Sequence, residues 1–84
     1  ENGFKGQLFV APNPSVNSAL LQVVLTEGGD YSIEIIDMQG RVVQNLPVTT
    51  TNGKMPLPDL TSGMYMIELF QNSVPLKSVR WIVK

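Results

Sequence analysis

The chain has 84 residues, of which 43% are hydrophobic, and carries six lysine or arginine side chains against seven acidic ones. This composition is typical of one small globular domain rather than a disordered segment. The net charge of −1, without a cationic cluster, argues against sequence-independent binding of nucleic acid. No apolar run is long enough for a membrane-spanning helix, and no signal peptide is visible.

Short apolar stretches alternate with turn residues about every 8 to 12 positions, which is the spacing of a β-sandwich or small barrel. No window shows a helical period, and the six prolines argue against long helices. We therefore predict strands at residues 7–11, 19–26, 30–37, 41–46, 54–58, 64–71 and 76–83.

Near the start, Pro12 and Pro14 bracket Asn13 and cannot lie in a central strand. One interpretation is structural: a rigid crossing between sheets, in which the Asn13 side chain bonds local backbone. The other is functional: a preorganised surface that a partner recognises. The residues alone favour the structural interpretation without excluding the functional one.

The middle of the chain shows the clearest strand and turn patterns. Tyr31, Ile33 and Ile35 alternate with polar residues, which predicts one buried face. The segment 37–40 that follows predicts a tight hairpin, with Gly40 at a positive φ. Asn52-Gly53 predicts a further turn.

Residues 62–65 lead from a turn glycine, Gly63, into a strand with Tyr65 on its buried face. This arrangement is similar to the tyrosine corner of sandwich folds, in which the phenol ties down a connection. We expect Tyr65 to act on structure rather than on binding.

At the C-terminus, Arg80, Ile82 and Lys84 alternate with an apolar set that includes Trp81. These three residues are therefore predicted to share one exposed face, opposite to Trp81. Such a mixed basic and apolar strip fits a docking edge for a partner, and it fits a solvated strand face equally well.

The sequence as a whole predicts an all-β domain, a seven-stranded antiparallel immunoglobulin-like β-sandwich. The lack of histidine and cysteine removes the commonest general base, the commonest zinc ligands and every thiol nucleophile. Neither a nucleophile-elbow serine nor a phosphate-binding glycine loop is present. We therefore expect no catalytic residues, no cofactor, no metal site and no nucleic-acid partner, and predict that the chain is not an enzyme.

The motifs together resemble the C-terminal sorting domain of the type IX (Por) secretion system, type A. The resemblance rests on four segments in this order: residues 12–14, residues 31–43 with the sequence YSIEIIDMQGRVV, residues 60–67 with LTSGMYMI, and the last strand through Lys84. One departure is Ala11, where the family often places an aromatic residue.

The resemblance implies a secretion and sorting signal that directs a parent protein, lying N-terminal to Glu1, through the periplasm to the cell surface or the medium. It implies translocon and sortase proteins as partners. By this resemblance, the positions that match the family are Pro12, Asn13, Pro14, Gly40, Gly63, Tyr65 and Lys84. We expect Gly40, Gly63 and Tyr65 to hold the fold. The predicted recognition residues are Pro12, Asn13, Pro14 and Lys84, together with Arg80 and Ile82 from the strand alternation.

We divide the chain into a residual linker, residues 1–6, and a sorting domain, residues 7–84. An exposed edge strand would permit a weak homodimer. Two alternatives remain at this point: an accessory sandwich that binds carbohydrate or protein for a secreted enzyme or adhesin, and a cap that only stabilises its parent. A binding sandwich is expected to expose a row of aromatic side chains, whereas Trp81 and both tyrosines fall on predicted core faces.

Overall fold

The computed structural model describes residues 4–16 and 18–84. Within these ranges the chain forms seven β-strands and no helix, so the predicted all-β class is confirmed. The strands are β1 (Gln7–Ala11), β2 (Leu20–Val24), β3 (Tyr31–Ile36), β4 (Val42–Pro47), β5 (Asn52–Pro56), β6 (Gly63–Gln71) and β7 (Val74–Val83).

The strands form two antiparallel sheets. One has three strands in the order β1-β2-β5, and the other has four in the order β4-β3-β6-β7. The chain passes between the sheets after β2, after β4 and after β5, which is the connectivity of an immunoglobulin-like sandwich. The predicted architecture is therefore confirmed.

The core lies between the two sheets and follows the alternation of each strand. Ile33 and Ile35 of β3, with Ile67 and Leu69 of β6, are completely buried. Because successive side chains of a strand point to opposite faces, their even-numbered neighbours form the outer face of the four-stranded sheet. From the three-stranded sheet the buried side chains are Leu8, Val10, Leu21, Val23 and Met55.

Strands β5 and β7 begin two residues earlier than predicted, and β2 and β5 end two residues earlier, at Val24 and Pro56. Asn52 and Gly53 do not form a turn: they lie in β5, opposite Val24 and Val23 of β2. This register places Met55 in the core, and burial of that side chain outweighs the turn preference of the dipeptide. Strand β7 begins at Val74, two residues earlier than predicted.

The early start of β7 includes Pro75, which lies opposite Phe70 at a shift in register. A proline is tolerated there because β7 is at the edge of its sheet and does not need every N–H group. In the turn before it, Asn72 and Ser73 have φ values of 49° and 70°. Two successive positive φ angles are characteristic of a tight type I′ hairpin.

The N-terminal segment lies partly outside the described residues. Of the predicted linker, residues 1–3 are not described, whereas Phe4 is half-buried against the core. The domain boundary at residue 7 stays a prediction.

Candidate recognition site

The segment after β1 leaves the three-stranded sheet and lies against the edge of β7. We call residues 12–15 the strap. The Asn13 side-chain amide donates to the carbonyl oxygen of Arg80 at 2.7 Å, and its oxygen accepts from the backbone N–H of Ile82 at 3.0 Å. One side chain therefore takes both the donor and the acceptor role of a peptide group in a neighbouring strand. Its partners are backbone groups 67 and 69 positions away, not the local backbone that the sequence suggested.

Ser15 continues this pairing with its own backbone. Its N–H donates to the carbonyl oxygen of Ile82 at 2.9 Å, and its carbonyl oxygen accepts from Lys84 N–H at 2.8 Å. The pair Ser15 and Val83 forms a parallel bridge. The strap thus acts as a short extra strand at the edge of the four-stranded sheet and joins this sheet to the three-stranded one.

The Ser15 side chain fixes the strap from inside. Its hydroxyl oxygen accepts a hydrogen bond from Trp81 Nε1 at 3.0 Å, and both residues are only 2% exposed. Ser15 was not among the residues predicted for the site. Its only signal in the sequence is its place after Pro14, because nothing there reveals a tryptophan donor 66 positions away.

The predicted recognition residues fall into two groups that the fold brings together. Pro12, Asn13 and Pro14 are exposed on the strap, while Arg80 is exposed on β7 and Ile82 is half-exposed. Because Trp81 and Val83 point into the core, Arg80 and Ile82 lie on the outer face of the sheet. Lys84 is exposed just beyond β7.

The outer face beside β7 is apolar over part of its area. Ile82 pairs with Met64 across β6 and β7, and Arg80 pairs with Met66, which in turn pairs with Ile36 of β3. Met66 is 39% exposed. The sequence predicted which side chains point outward, but it did not predict these neighbours, because register between distant strands is set by the packed core.

The hairpin between β3 and β4 lies at the same end of this face. The Asp37 carboxylate accepts from the backbone N–H groups of Gln39 and Arg41, both at 2.9 Å, and its second oxygen accepts from Arg41 Nε at 2.9 Å. Gly40 has φ +84°, a conformation that glycine adopts without the steric cost of a side chain. These hydrogen bonds lower the pKa of Asp37 below its ordinary value. The largest effect is that of the hydrogen bond from the Arg41 backbone N–H, and the Gln39 N–H and the Arg41 side chain add to it. Partial burial of the carboxylate acts in the opposite direction.

Tyr65 lies on the inner face of β6 and ties down the connection before that strand. Its hydroxyl donates to the Thr61 carbonyl oxygen at 2.7 Å. Its ring lies 5.8 Å from that of Trp81, at an interplanar angle of 43°. Gly63 starts β6 against the tyrosine ring, where an added Cβ would come within 3.8 Å of it. These contacts connect the corner to the tryptophan that holds the strap.

The candidate site therefore consists of hydrogen-bonded backbone, where the strap meets β7, and of exposed side chains beside it. Over residues 4–16 and 18–84, no group of three or more His, Cys, Asp or Glu side chains is placed to hold a metal ion. The same part of the chain has no helix with the length and apolar character needed to cross a bilayer.

Comparison with known proteins gives one family. The model of the secretion system C-terminal sorting domain matches residues 9–84. This match covers both the strap and β7. No curated protein matches the chain significantly.

Proposed function

Because the chain belongs to the family of secretion system C-terminal sorting domains, we propose that its address is the surface where the strap meets the last residues of β7. The domain is a C-terminal sorting signal for type IX secretion, so its cargo is a secreted or cell-surface protein. The family is one of sorting signals and not of enzymes. The type A subtype stays a prediction.

In our proposal, the type IX translocon binds this address first, and a surface sortase binds it afterwards. They meet the domain after the cargo, which precedes Glu1, has entered the periplasm. Arg80, Ile82 and Lys84 provide the contacts, as one basic and apolar strip at the end of β7.

The observation that carries the proposal is the double hydrogen bond of the Asn13 amide to β7. It holds the backbone at Arg80 and Ile82 in extended form before any partner arrives. Preorganisation of this kind removes part of the ordering cost of binding, so that a short strip can be read with useful affinity. In this proposal Asn13 positions the address, and the side chains of β7 contact the reader.

The alternative of an accessory carbohydrate-binding sandwich is not favoured. Trp81 is 2% exposed and Tyr65 is 7% exposed, so neither ring is available for stacking on a sugar. Both serve the core and the strap instead.

The test is surface delivery of a reporter in a cell with a type IX system. A signal-peptide-bearing fluorescent protein is fused to residues 1–84, and protease accessibility from outside is measured. We expect the full fusion to reach the surface and a truncation without residues 79–84 to stay in the periplasm.

The truncation also removes the buried Trp81, so point variants are needed to separate recognition from folding. We expect the double variant Arg80→Ala, Ile82→Thr to keep its melting temperature within a few degrees and to lose surface delivery. Lys54→Ala, an exposed cation on β5, is the matched control. Delivery of the double variant at the level of this control would contradict the proposal.

A further inference from the structure

Three of the four methionines lie around one end of the outer face of the four-stranded sheet. Met38 and Met64 line the same shallow depression between the β3–β4 hairpin and the turn before β6. Met66 is the next outward residue along β6. Met38 is 68% exposed, whereas the fourth methionine, Met55, is in the core. We call Ile36, Met38, Arg41, Met64, Met66 and Ile82 the methionine surface.

The side chains of this surface suit a binding role. Met66 has Ile36 as its partner on one neighbouring strand, and Met64 has Ile82 on the other, so the apolar area is continuous across three strands. Methionine is flexible and polarisable, and it adapts its shape to an incoming side chain. A polar outer face would be enough for solubility alone.

Arg41 adds a directed charge to the same depression. Its Nε is held by an Asp37 oxygen at 2.9 Å, while its side chain is 75% exposed. Because Asp37 uses the Nε side, the two terminal nitrogens of the planar guanidinium remain for a second anion. That fork matches a carboxylate in bidentate geometry, which lysine cannot reproduce.

The charges around the methionine surface indicate the partner. Arg41 belongs to it and Arg80 lies beside it, while the carboxylate at this end, Asp37, already accepts from Arg41 Nε and two backbone N–H groups. Glu34 and Glu68 lie opposite each other on β3 and β6, one row further along this face toward the other end of the sheet. Met38 and Met64 thus give this otherwise polar depression an apolar side, next to the available guanidinium fork of Arg41.

We propose that the methionine surface docks a segment of the secretion machinery in which an apolar side chain stands next to a carboxylate. The apolar side chain packs against the exposed methionine side chains, and the carboxylate binds the Arg41 fork. This inference rests on the proposed function, since it extends the β7 address across the sheet to the β3–β4 hairpin. The reader then contacts two distant parts of the sequence at once, which only the folded domain presents together.

The experiment uses the same reporter fused to residues 1–84, with four single variants. Arg41→Gln keeps a hydrogen-bonding side chain without charge, and Arg41→Lys keeps the charge without the fork. Met66→Thr and Met38→Gln remove apolar contact at exposed positions. Phe9→Thr, on the outer face of the other sheet and 43% exposed, is the control for Met66→Thr.

We expect surface delivery to fall about tenfold for Arg41→Gln and Met66→Thr, with a loss of intermediate size for Arg41→Lys. Phe9→Thr should deliver like the native domain. Purified variants are melted first, and Met38→Gln, whose side chain projects from the hairpin, serves if Met66→Thr lowers the melting temperature.

The outcomes separate the two proposals. If Arg41→Gln, Met66→Thr and Met38→Gln are delivered normally while the Arg80→Ala, Ile82→Thr variant is retained, the methionine surface is not a docking site and the β7 address stands. If that β7 variant is also delivered normally, the β7 address is wrong as well. A loss for Arg41→Lys, of intermediate size or as large as that of Arg41→Gln, supports the fork, whereas full delivery by Arg41→Lys overturns the bidentate carboxylate.

Discussion

Replacing Ser15 by alanine tests how the strap is held. The substitution removes the hydroxyl oxygen that accepts from Trp81 Nε1 at 3.0 Å, and it leaves the backbone pairing of Ser15 with β7 in place. Both residues are 2% exposed, so water cannot replace the lost acceptor without opening the structure. A buried donor without a partner costs about 1–3 kcal/mol, and we expect a loss of about 2 kcal/mol.

The domain is stable enough for this loss to be measured. At about 0.05–0.15 kcal/mol per residue, a chain of 84 residues has a free energy of unfolding of about 4–13 kcal/mol. The variant should therefore fold. Its melting temperature should fall by about 8–16 °C, since 1 kcal/mol corresponds to about 4–8 °C in a domain of this size.

A double-mutant cycle identifies the cause. Trp81→Phe removes the N–H donor of this bond. In that background, Ser15→Ala leaves no buried donor without a partner. Ser15→Ala then also removes a buried hydroxyl group that has already lost its own partner. Urea unfolding should then show a cost close to zero, and therefore a coupling energy of about 2 kcal/mol between the two sites. An equal loss in both backgrounds would refute the reasoning, because it would mean that the hydroxyl acts independently of the indole.

Three other predictions concern the hairpin and the corner. Gly40→Ala should lower the free energy of unfolding in urea by about 1–2 kcal/mol, because φ is +84° there. No atom lies within 4 Å of the added Cβ, so a clash does not contribute to this cost. Gly28 is equally open but has no positive φ, so Gly28→Ala is the control and should be close to neutral. Tyr65→Phe should lower the free energy of unfolding by about 1 kcal/mol, because it loses the hydrogen bond to the Thr61 carbonyl oxygen. Tyr65→Ala should lower it by about 3–5 kcal/mol, because it leaves a cavity in the core. An unchanged melting temperature for Tyr65→Ala would contradict the burial of this side chain. The pKa of Asp37 is lowered on folding, so the stabilisation it provides is complete above its ordinary value of 3.8 and is lost as the pH falls below that value toward the folded pKa. Asp37→Asn should therefore be less stable than the native domain at pH 6, and the difference should shrink as the pH falls from 4 to 2; a constant difference would mean that the charge is not responsible.

The strands of this domain were predictable because alternation is a local property. Ile33 and Ile35 are completely buried, as the spacing of apolar residues around Glu34 predicted. Asn52-Gly53 was misread for the converse reason: its turn preference is local, whereas its place in β5 is decided by pairing with β2. Burial of Met55 through that pairing outweighs a weak turn signal.

The candidate site was less accessible to sequence analysis, since its contacts join segments far apart. The alternation predicted that Arg80 and Ile82 face outward, but not that the Asn13 amide holds the backbone of both. Likewise, the alternation placed Tyr65 on a buried face, but it did not predict that its neighbours Met64 and Met66 lie opposite Ile82 and Ile36. The recognition roles of the strap and β7 stay predictions until export of the variants is measured.

The bridge between Ser15 and Val83 makes closure of the fold depend on nearly the whole chain being present. A nascent polypeptide that stops before residue 80 offers Asn13 and Ser15 no backbone to pair with, and it lacks the indole that fills the core beside Tyr65. Translation must therefore pass through the last codons of this domain before the sandwich can close. Under the proposed function, a prematurely terminated chain would therefore present no folded address to the secretion machinery.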